Sequence, residues 1–452
     1  MTTTTTRRYF GTDGIRGIAG EMPMSAHFAF EVGMATAEVL RDLRDRALGS
    51  DDTLRCVIGR DTRHSGTLLS HAVSAGLAAR GAEVHDVGVM PTPGVAYLTR
   101  ALGADVGVVI SASHNPFDHN GIKLFSRSGE KLGDGLELEI EARLGALNDL
   151  PPRTGRDLGT VSRYDRQQQT YPAFLLEHAP DLSGLEIGID CANGANYELA
   201  PAIFGQTGAT VSVINAAPDG FNINTDCGST HPDAIRDHVL AHDLDLGLSF
   251  DGDADRVLFV DRYGRLVNGD HMLAICALDR GETTVVSTVM SNLGVENYLA
   301  DRGVTLLRSK VGDRYVFELL RANGLTLGGE PSGHLLFLDL APTGDGMLSA
   351  LRVLAAVRAS QKPLEDWVDE IPLYPQILLN VPVAPGAKAR VAEHDEVLAA
   401  LGRAETDLAG RGRVNVRPSG TEALVRVMVE AEDEALTEQT ARAIAAVIRR
   451  VA

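Results

Sequence analysis

The sequence predicts an α/β protein: three similar α/β units with mixed sheets, then a smaller α+β module, arranged around a central cleft. Two patterns carry this prediction. A strand–helix–glycine–strand unit of about 30 residues recurs three times, the footprint of a βαβ unit. The end of the chain then changes order to β-α-β-β-α. At 452 residues the chain is also long enough to bury a core without disulfide or zinc staples.

The first copy opens with a β-prone run at 54–58 that ends in Gly59-Arg60-Asp61. Leu68, Leu69, Ala72, Val73, Gly76 and Leu77 follow at helical spacing, and Gly81 supplies a stop before a strand at 82–87. The second copy comprises 185–190, a helix over 197–204, Gly208 and a strand at 210–214. The third comprises 284–289, a helix over 295–300, Gly303 and a strand at 304–307. Such crossovers build parallel or mixed sheets, with ligand groups in the loops that leave the strand C-termini. None of the three turns carries a GxGxxG fingerprint, which speaks against a dinucleotide site. The last module reads as a strand at 377–383, a helix over 391–408, strands at 413–416 and 424–429, and a final helix. That helix is marked by Ile444, Val447, Ile448 and Val451. Breaks near the Pro/Gly/Arg-rich stretch 151–159 and after 251–255 give domains of 1–157, 158–257, 258–371 and 372–452.

Charge narrows the function. With 61 Asp+Glu against 42 Lys+Arg the net charge is −19, which argues against general nucleic-acid or anionic-membrane binding. No run of about 20 apolar residues is present, and the N-terminus lacks the apolar region of a secretory signal. Cys56, Cys191, Cys227 and Cys276 lie far apart with no C-x-x-C pair, so reduced, buried thiols in a cytoplasmic protein are expected. An acidic protein with an anionic ligand must gather its positive charge locally.

Four segments carry chemistry. Ser111-Ala112-Ser113-His114-Asn115-Pro116 leaves the β-prone run 105–110. A serine at a strand exit beside a histidine suits a covalent nucleophile, and equally a polar turn before Pro116. No G-x-S-x-G elbow is present, which disfavours a hydrolase triad. Asp251-Gly252-Asp253-Ala254-Asp255-Arg256 follows the alternating run 245–250. Three carboxylates at i, i+2, i+4 of an extended loop can converge on one hard cation, best Mg²⁺; a solvated acidic turn is the other reading. An EF-hand is excluded, since its glycine position would hold Arg256 and its glutamate position Arg262.

Arg417-Pro418-Ser419-Gly420-Thr421, with Arg426 downstream, suits a phosphate cradle, although a hairpin turn can also contain Ser-Gly. In Gly328-Gly329-Glu330-Pro331-Ser332-Gly333-His334, Glu330 and Ser332 would project from one side of an extended loop towards sugar hydroxyls. A glycine-rich connector is the alternative. A serine beside a metal site, with a phosphate cradle far along the chain, indicates phosphoryl transfer to or from a substrate held by another phosphate.

In seven segments the chain resembles the α-D-phosphohexomutase superfamily. They are GTDGIRG (11–17), SASHNP (111–116) with NGIKLF (120–125), DGDADR (251–256), VMSNLG (289–294), VGDRYV (311–316), GEPSGH (329–334) and RPSGTEALVRVMVE (417–430). They span nearly the whole chain, in order. The wording of SASHNP, VMSNLG, VGDRYV and GGEPSGH resembles the glucosamine branch more than the glucose or mannose branches.

The resemblance implies an isomerase-class intramolecular phosphotransferase that interconverts glucosamine 6-phosphate and glucosamine 1-phosphate for amino-sugar and peptidoglycan-precursor synthesis. Phosphoglucomutase or phosphomannomutase activity is the alternative within the superfamily. It further implies that Ser113 is a phosphoserine, primed by a sugar 1,6-bisphosphate. Asp251, Asp253 and Asp255 would bind one Mg²⁺ with a phosphoryl oxygen on Ser113, with Arg256 beside them. Arg16, Lys123 and His334, with His114 next to the serine, would handle protons and charge. Glu330, Ser332 and Asp313 would read the sugar, and Arg417, Ser419, Gly420, Thr421 and Arg426 would hold the non-reacting phosphate. Arg16, Lys123, Arg256, Arg417 and Arg426 would converge in one positive cleft.

The implied partner is a hexosamine phosphate, and the chain would act as a monomer or homodimer. Two residues depart from the family pattern: Pro331 where a glutamine is expected, and Ala423 where a proline is expected. A catalytically silent sugar-phosphate binder and a metal-dependent phosphatase are the rivals from other classes.

Overall fold

The computed structural model describes residues 7–11, 13–48, 53–165, 167–419 and 422–452. Each expected βαβ copy forms around a parallel strand pair. Arg55–Arg60 pairs with Glu83–Val89, Glu186–Asp190 with Thr210–Ile214, and Thr284–Thr288 with Thr305–Ser309. The helices between them are Gly66–Ala79, Leu199–Gln206 and Leu293–Ala300. Each sheet also contains antiparallel neighbours, so all three are mixed.

The seven-stranded first sheet runs in the order Phe10–Gly11, Gly14–Ile18, His119–Ser126, Val106–Ile110, Arg55–Arg60, Glu83–Val89, Thr160–Arg163. Its last strand lies beyond the break expected at 157. The second sheet likewise continues past 257, through Val257–Asp261 to Leu266–Val267. The first break differs because the polar, exposed edge strand Thr160–Arg163 carries no alternating apolar signal, and the second because the buried strand Val257–Asp261 pairs antiparallel with Leu246–Phe250 across the acidic turn.

One contiguous apolar core runs through the first three units, joining Val57 and Val87 to Tyr171, Ile189, Phe250, Phe337 and Leu351. A second core lies under the other face of the first sheet, around Phe28, Ile58 and Leu77. The last module has a core of its own, with Val381, Val427, Ile444 and Ile448. Its three-stranded sheet, Gln376–Pro382, Leu424–Ala431 and Gly412–Pro418, is packed by the helices Asp395–Leu408 and Glu434–Val451.

The single helix expected over 391–408 is broken into Lys388–Ala392 and Asp395–Leu408. His394 takes an extended conformation and accepts the Glu396 N–H as an N-cap. The module docks on the third unit through polar contacts to the segment 289–293. Arg413 donates to the Val289 carbonyl at 3.0 Å and pairs with Glu430, which accepts the Leu293 N–H. All four cysteines are buried free thiols. Among the described residues no helix is long and apolar enough to cross a membrane.

Candidate active site

The fully buried strand Val106–Ile110 delivers the Ser111–Pro116 loop to the edge of a cavity of about 490 Å³. The first unit lines this cavity with Arg16, His114 and Lys131, the second with Asp255 and Arg256, and the third with Gly312, Asp313, Glu330 and His334. It is the expected central cleft, built by three units at the C-terminal ends of their strands.

Ser113 adjoins the cleft through His114. It is buried, holds a φ of +54°, and its Oγ donates to Asp251 Oδ2 at 2.8 Å. His114 Nδ1 lies 3.3 Å from the same hydroxyl and 3.2 Å from Arg256 Nη1. Burial, then the Arg256 and Arg16 charges, push this imidazole down to about 4, so it is neutral near pH 7 and Nδ1 can accept.

Strand Leu246–Phe250 carries the acidic segment to the other side of Ser113. It is a tight turn rather than the extended loop expected: the Ala254 N–H donates to the Asp251 carbonyl and Ala254 has a φ of +55°. The turn still gathers the Asp251, Asp253 and Asp255 carboxylates, with oxygens within 4.8 Å of one another. Asp253 Oδ1 and Asp255 Oδ1 are buried without a hydrogen-bond partner. Burial and the charges of Asp255 and Asp253 push the Asp251 carboxyl well above its usual range. Three buried carboxylates, two of them with an orphaned oxygen, fit a hard divalent cation such as Mg²⁺.

Lys123 is not in the walls of this cavity but lines the adjoining one of about 330 Å³, which shares Asp13, Lys131 and Asp313 with it. Its Nζ lies 2.8 Å from Asp253 Oδ2 and 3.0 Å from Asp13 Oδ2. Burial alone would lower its pKa, but Asp13, Asp253 and Asp255 raise it, so the ammonium stays charged. Arg16 pairs with Asp13 and reaches the Ala112 carbonyl at 3.4 Å.

His334 stands between Asp255 (Nδ1 to Oδ1, 3.7 Å) and Asp313 (Nε2 to Oδ2, 3.5 Å). Burial disfavours its cation, but these two carboxylates prevail and raise its pKa. Its own strand, Leu335–Phe337, is antiparallel to Leu327–Gly329, so residues 330–333 form a tight hairpin turn and not an extended loop. Gly333 is required there: its φ is +87°, and a Cβ would sit 2.0 Å from the Val257 carbonyl oxygen. Glu330 lines the cleft and accepts the Gly312 N–H at 3.0 Å. The Ser332 hydroxyl is buried without a partner and does not line the cavity. The turn therefore separates the two side chains that an extended loop would have kept together.

Arg417 and Arg426 face each other across Gly412–Pro418 and Leu424–Ala431. Ser419 follows, and Lys388 donates to its carbonyl at 2.5 Å. None of Arg417, Ser419 and Arg426 lines the cleft cavity, so the five cations expected in one cleft do not meet there. Gly420 and Thr421 lie outside the described residues.

Sequence reasoning missed Asp13 and Lys131. Lys131 Nζ is 2.5 Å from both Asp13 Oδ1 and Asp313 Oδ2, joining the first and third units. Burial would raise Asp13, but Lys123, Lys131 and Arg16 hold it well below the usual carboxylate range. Asp13 sits inside GTDGIRG and was there to be seen. Lys131 lies in Gly129-Glu130-Lys131, which carries no local signal.

Models of phosphoglucomutase/phosphomannomutase α/β/α domains I, II and III match residues 7–149, 169–264 and 268–374, and that of the C-terminal domain matches 378–447. A phosphoglucosamine mutase of Deinococcus deserti is 52% identical over 442 residues, 98% of each chain. A phosphoglucomutase/phosphomannomutase family protein of Burkholderia thailandensis superposes with a TM-score of 0.79 at 23% identity, covering 97% of each chain. An N-acetylphosphoglucosamine mutase of Aspergillus fumigatus, in complex with GlcNAc-6P and magnesium, superposes with a TM-score of 0.66 at 17% identity, covering 99% of this chain and 96% of its own. Matched in all four domains, and along its whole length by relatives of one name, the chain belongs to the phosphoglucomutase/phosphomannomutase family, among its phosphoglucosamine mutases.

Proposed function

We propose that the chain interconverts glucosamine 6-phosphate and glucosamine 1-phosphate, with Ser113 as the phosphoserine and Asp251, Asp253 and Asp255 holding one Mg²⁺. The observation that carries this is the Ser113 hydroxyl. It is buried, 2.8 Å from Asp251 Oδ2, and next to a cleft that three units build. The cation, when bound, offsets negative charge on the phosphoryl group.

The chain's own residues do the rest. Phospho-Ser113 passes its group to the C1 hydroxyl: the bond from Oγ to phosphorus breaks, one to the sugar oxygen forms, and the sugar hydroxyl's proton ends in net on Ser113 Oγ, giving a bound 1,6-bisphosphate. The intermediate turns end for end. Ser113 Oγ, with His114 Nδ1 3.3 Å away, then attacks the 6-phosphoryl group: the bond from phosphorus to O6 breaks, the serine proton ends in net on O6, and Ser113 is rephosphorylated. Arg16 and Arg256, with His334 whose pKa Asp255 and Asp313 raise, stabilise charge that develops in the cleft. Glu330 and Asp313 orient the sugar hydroxyls.

The last module has its own core and polar docking contacts, which suits a unit that closes to bring Arg417, Ser419 and Arg426 onto the second phosphate. Unphosphorylated enzyme needs a sugar 1,6-bisphosphate as primer. Buried free thiols suit a reducing cytoplasm.

Ser113→Ala should abolish isomerisation in a coupled assay; substantial residual activity would sink the assignment. Comparing kcat/KM for glucosamine, glucose and mannose 6-phosphates decides between this substrate and the other branches, and the amino sugar should lead by at least about tenfold.

A further inference from the structure

Arg63 lies beneath the phosphoserine loop with its side chain wholly buried. A guanidinium has five N–H donors, and here each has an acceptor. Nε donates to Asp61 Oδ2 at 2.8 Å. Nη2 donates to the carbonyls of Ser113 (3.0 Å) and Asn115 (2.7 Å), and Nη1 to those of His119 (3.0 Å) and Pro116. Four of the five bonds therefore go to the backbone of one loop.

The second unit grips the same loop. Asn224 Nδ2 donates to the Ser113 carbonyl at 2.9 Å and to that of Asn115 at 3.1 Å. On the other side of Ser113, its N–H donates to Ser111 Oγ at 3.0 Å, and Ser111 Oγ donates to Asp61 Oδ2 at 2.6 Å. Both backbone polar groups of Ser113 are thus tied to the buried Asp61–Arg63 pair.

The grip matters for two reasons. Ser113 sits at a φ of +54°, a region that disfavours a residue with a side chain, so the loop needs external support to stay there. The metal-loop glycine Gly252 also lies against the clasped carbonyl. A Cβ at 252 would be 2.7 Å from the Ser113 oxygen and 2.8 Å from Asn224 Nδ2. The contacts that hold the Ser113 carbonyl therefore also set its spacing from the acidic turn. A buried ion pair contributes little net stability compared with well-packed apolar residues of the same volume. Its arrangement here matches placement of one loop better than general support of the core.

We propose that Asp61, Arg63 and Asn224 form a clasp that positions Ser113 Oγ for phosphoryl transfer, acting on the transfer step and not on sugar binding. The proposal rests on Ser113 being the phosphoserine. Lysine at 63 keeps the charge but offers three donors to five acceptors. Asn224→Ala removes the grip from the second unit and leaves the Asp61–Arg63 pair in place.

Wild type, Arg63→Lys and Asn224→Ala are each treated with glucose 1,6-bisphosphate. The phosphoenzyme is quantified and mapped by mass, then mixed with glucosamine 6-phosphate in a rapid-quench single turnover. Rates are expressed per phosphoenzyme, so a misfolded fraction does not enter. The transfer rate constant should fall about 30-fold in Arg63→Lys and about fivefold in Asn224→Ala, with half-saturating sugar unchanged within about threefold. If Arg63→Lys does not fold, Asn224→Ala decides by itself. Transfer rates within about threefold of wild type, or a loss confined to half-saturation, overturn the clasp alone. Wild-type phosphate that maps away from Ser113 overturns the phosphoserine assignment and the clasp with it.

Discussion

Arg417 and Arg426 are directly opposite one another on neighbouring strands. Like charges in that position oppose sheet formation by about 0.2–1 kcal/mol, so the pair needs a reason. Burial, and then the Arg426 charge, push Arg417 below its ordinary pKa, as two cations sharing one site would. An anion between them removes the conflict. Arg426→Ala is therefore expected to leave the Tm unchanged or slightly raised, while the KM for glucosamine 6-phosphate rises about tenfold; thermal unfolding and steady-state kinetics check both. The three aspartates were legible in sequence because i, i+2, i+4 spacing within one turn is a local property. The part played by Lys123 was not legible. Its ammonium is engaged by Asp13 and Asp253, and Asp253 is 130 residues away in the chain.

Helix Gly346–Ser360 starts behind the acidic turn, where the Gly346 N–H donates to the Ala254 carbonyl at 3.0 Å. Its N-cap is Asp345, which accepts the Leu348 N–H at 3.0 Å and the Tyr171 hydroxyl at 2.7 Å. Burial pushes this carboxyl up to about 6. A carboxyl whose folded pKa exceeds its unfolded value of 3.8 lowers stability once ionised. That penalty is absent below about pH 4, grows as pH rises through the window, and is complete above about pH 6. Asp345→Asn keeps the cap and removes the charge. It should raise stability by about 2–3 kcal/mol at pH 7.5 and by little near pH 4, read as the Tm difference from wild type at the two pH values. The core-facing helices and strands of the three repeats were readable from periodicity, because burial on one face leaves that signature. The hairpin at 330–333 was not: its flanking strands, Leu327–Gly329 and Leu335–Phe337, are too short to show an alternating pattern, and the Val257 carbonyl packed against Gly333 is distant in the chain.

Across the molecule, the first three units share one core, while the cleft between them is held by charge. Lys131 is the cation common to Asp13 of the first unit and Asp313 of the third. Without it, among the described residues, Asp13 would keep Lys123 and Arg16, but Asp313 would keep only His334, and no cation would bridge the two units at this wall. Lys131→Met should cost about 1–3 kcal/mol of stability, part of which Asp313→Asn should restore in the same background. A thermal double-mutant cycle measures this; strict additivity would remove Lys131 from the inter-unit contact. Arg16, Lys131, Arg256 and His334 are brought together from three units that meet only after folding, beside Asp13, Asp255, Asp313 and Glu330, so positive groups gather locally in a chain of net negative charge.

The sequence by itself determined the repeated βαβ plan, the terminal α+β module, the i, i+2, i+4 aspartate cluster and a serine at a strand exit. Each depends on residues a few positions apart, where periodicity and spacing act directly on the backbone. Tertiary structure decided which charges face the substrate and which neutralise one another. It paired Lys123 with Asp13 and Asp253, left Ser332 out of the cleft, set Arg417 and Arg426 on a module with a separate core, and closed Asp61, Arg63 and Asn224 around Ser113. The reason is physical: a buried charge must find its partner wherever the packed chain supplies one, and that partner is seldom a neighbour in sequence.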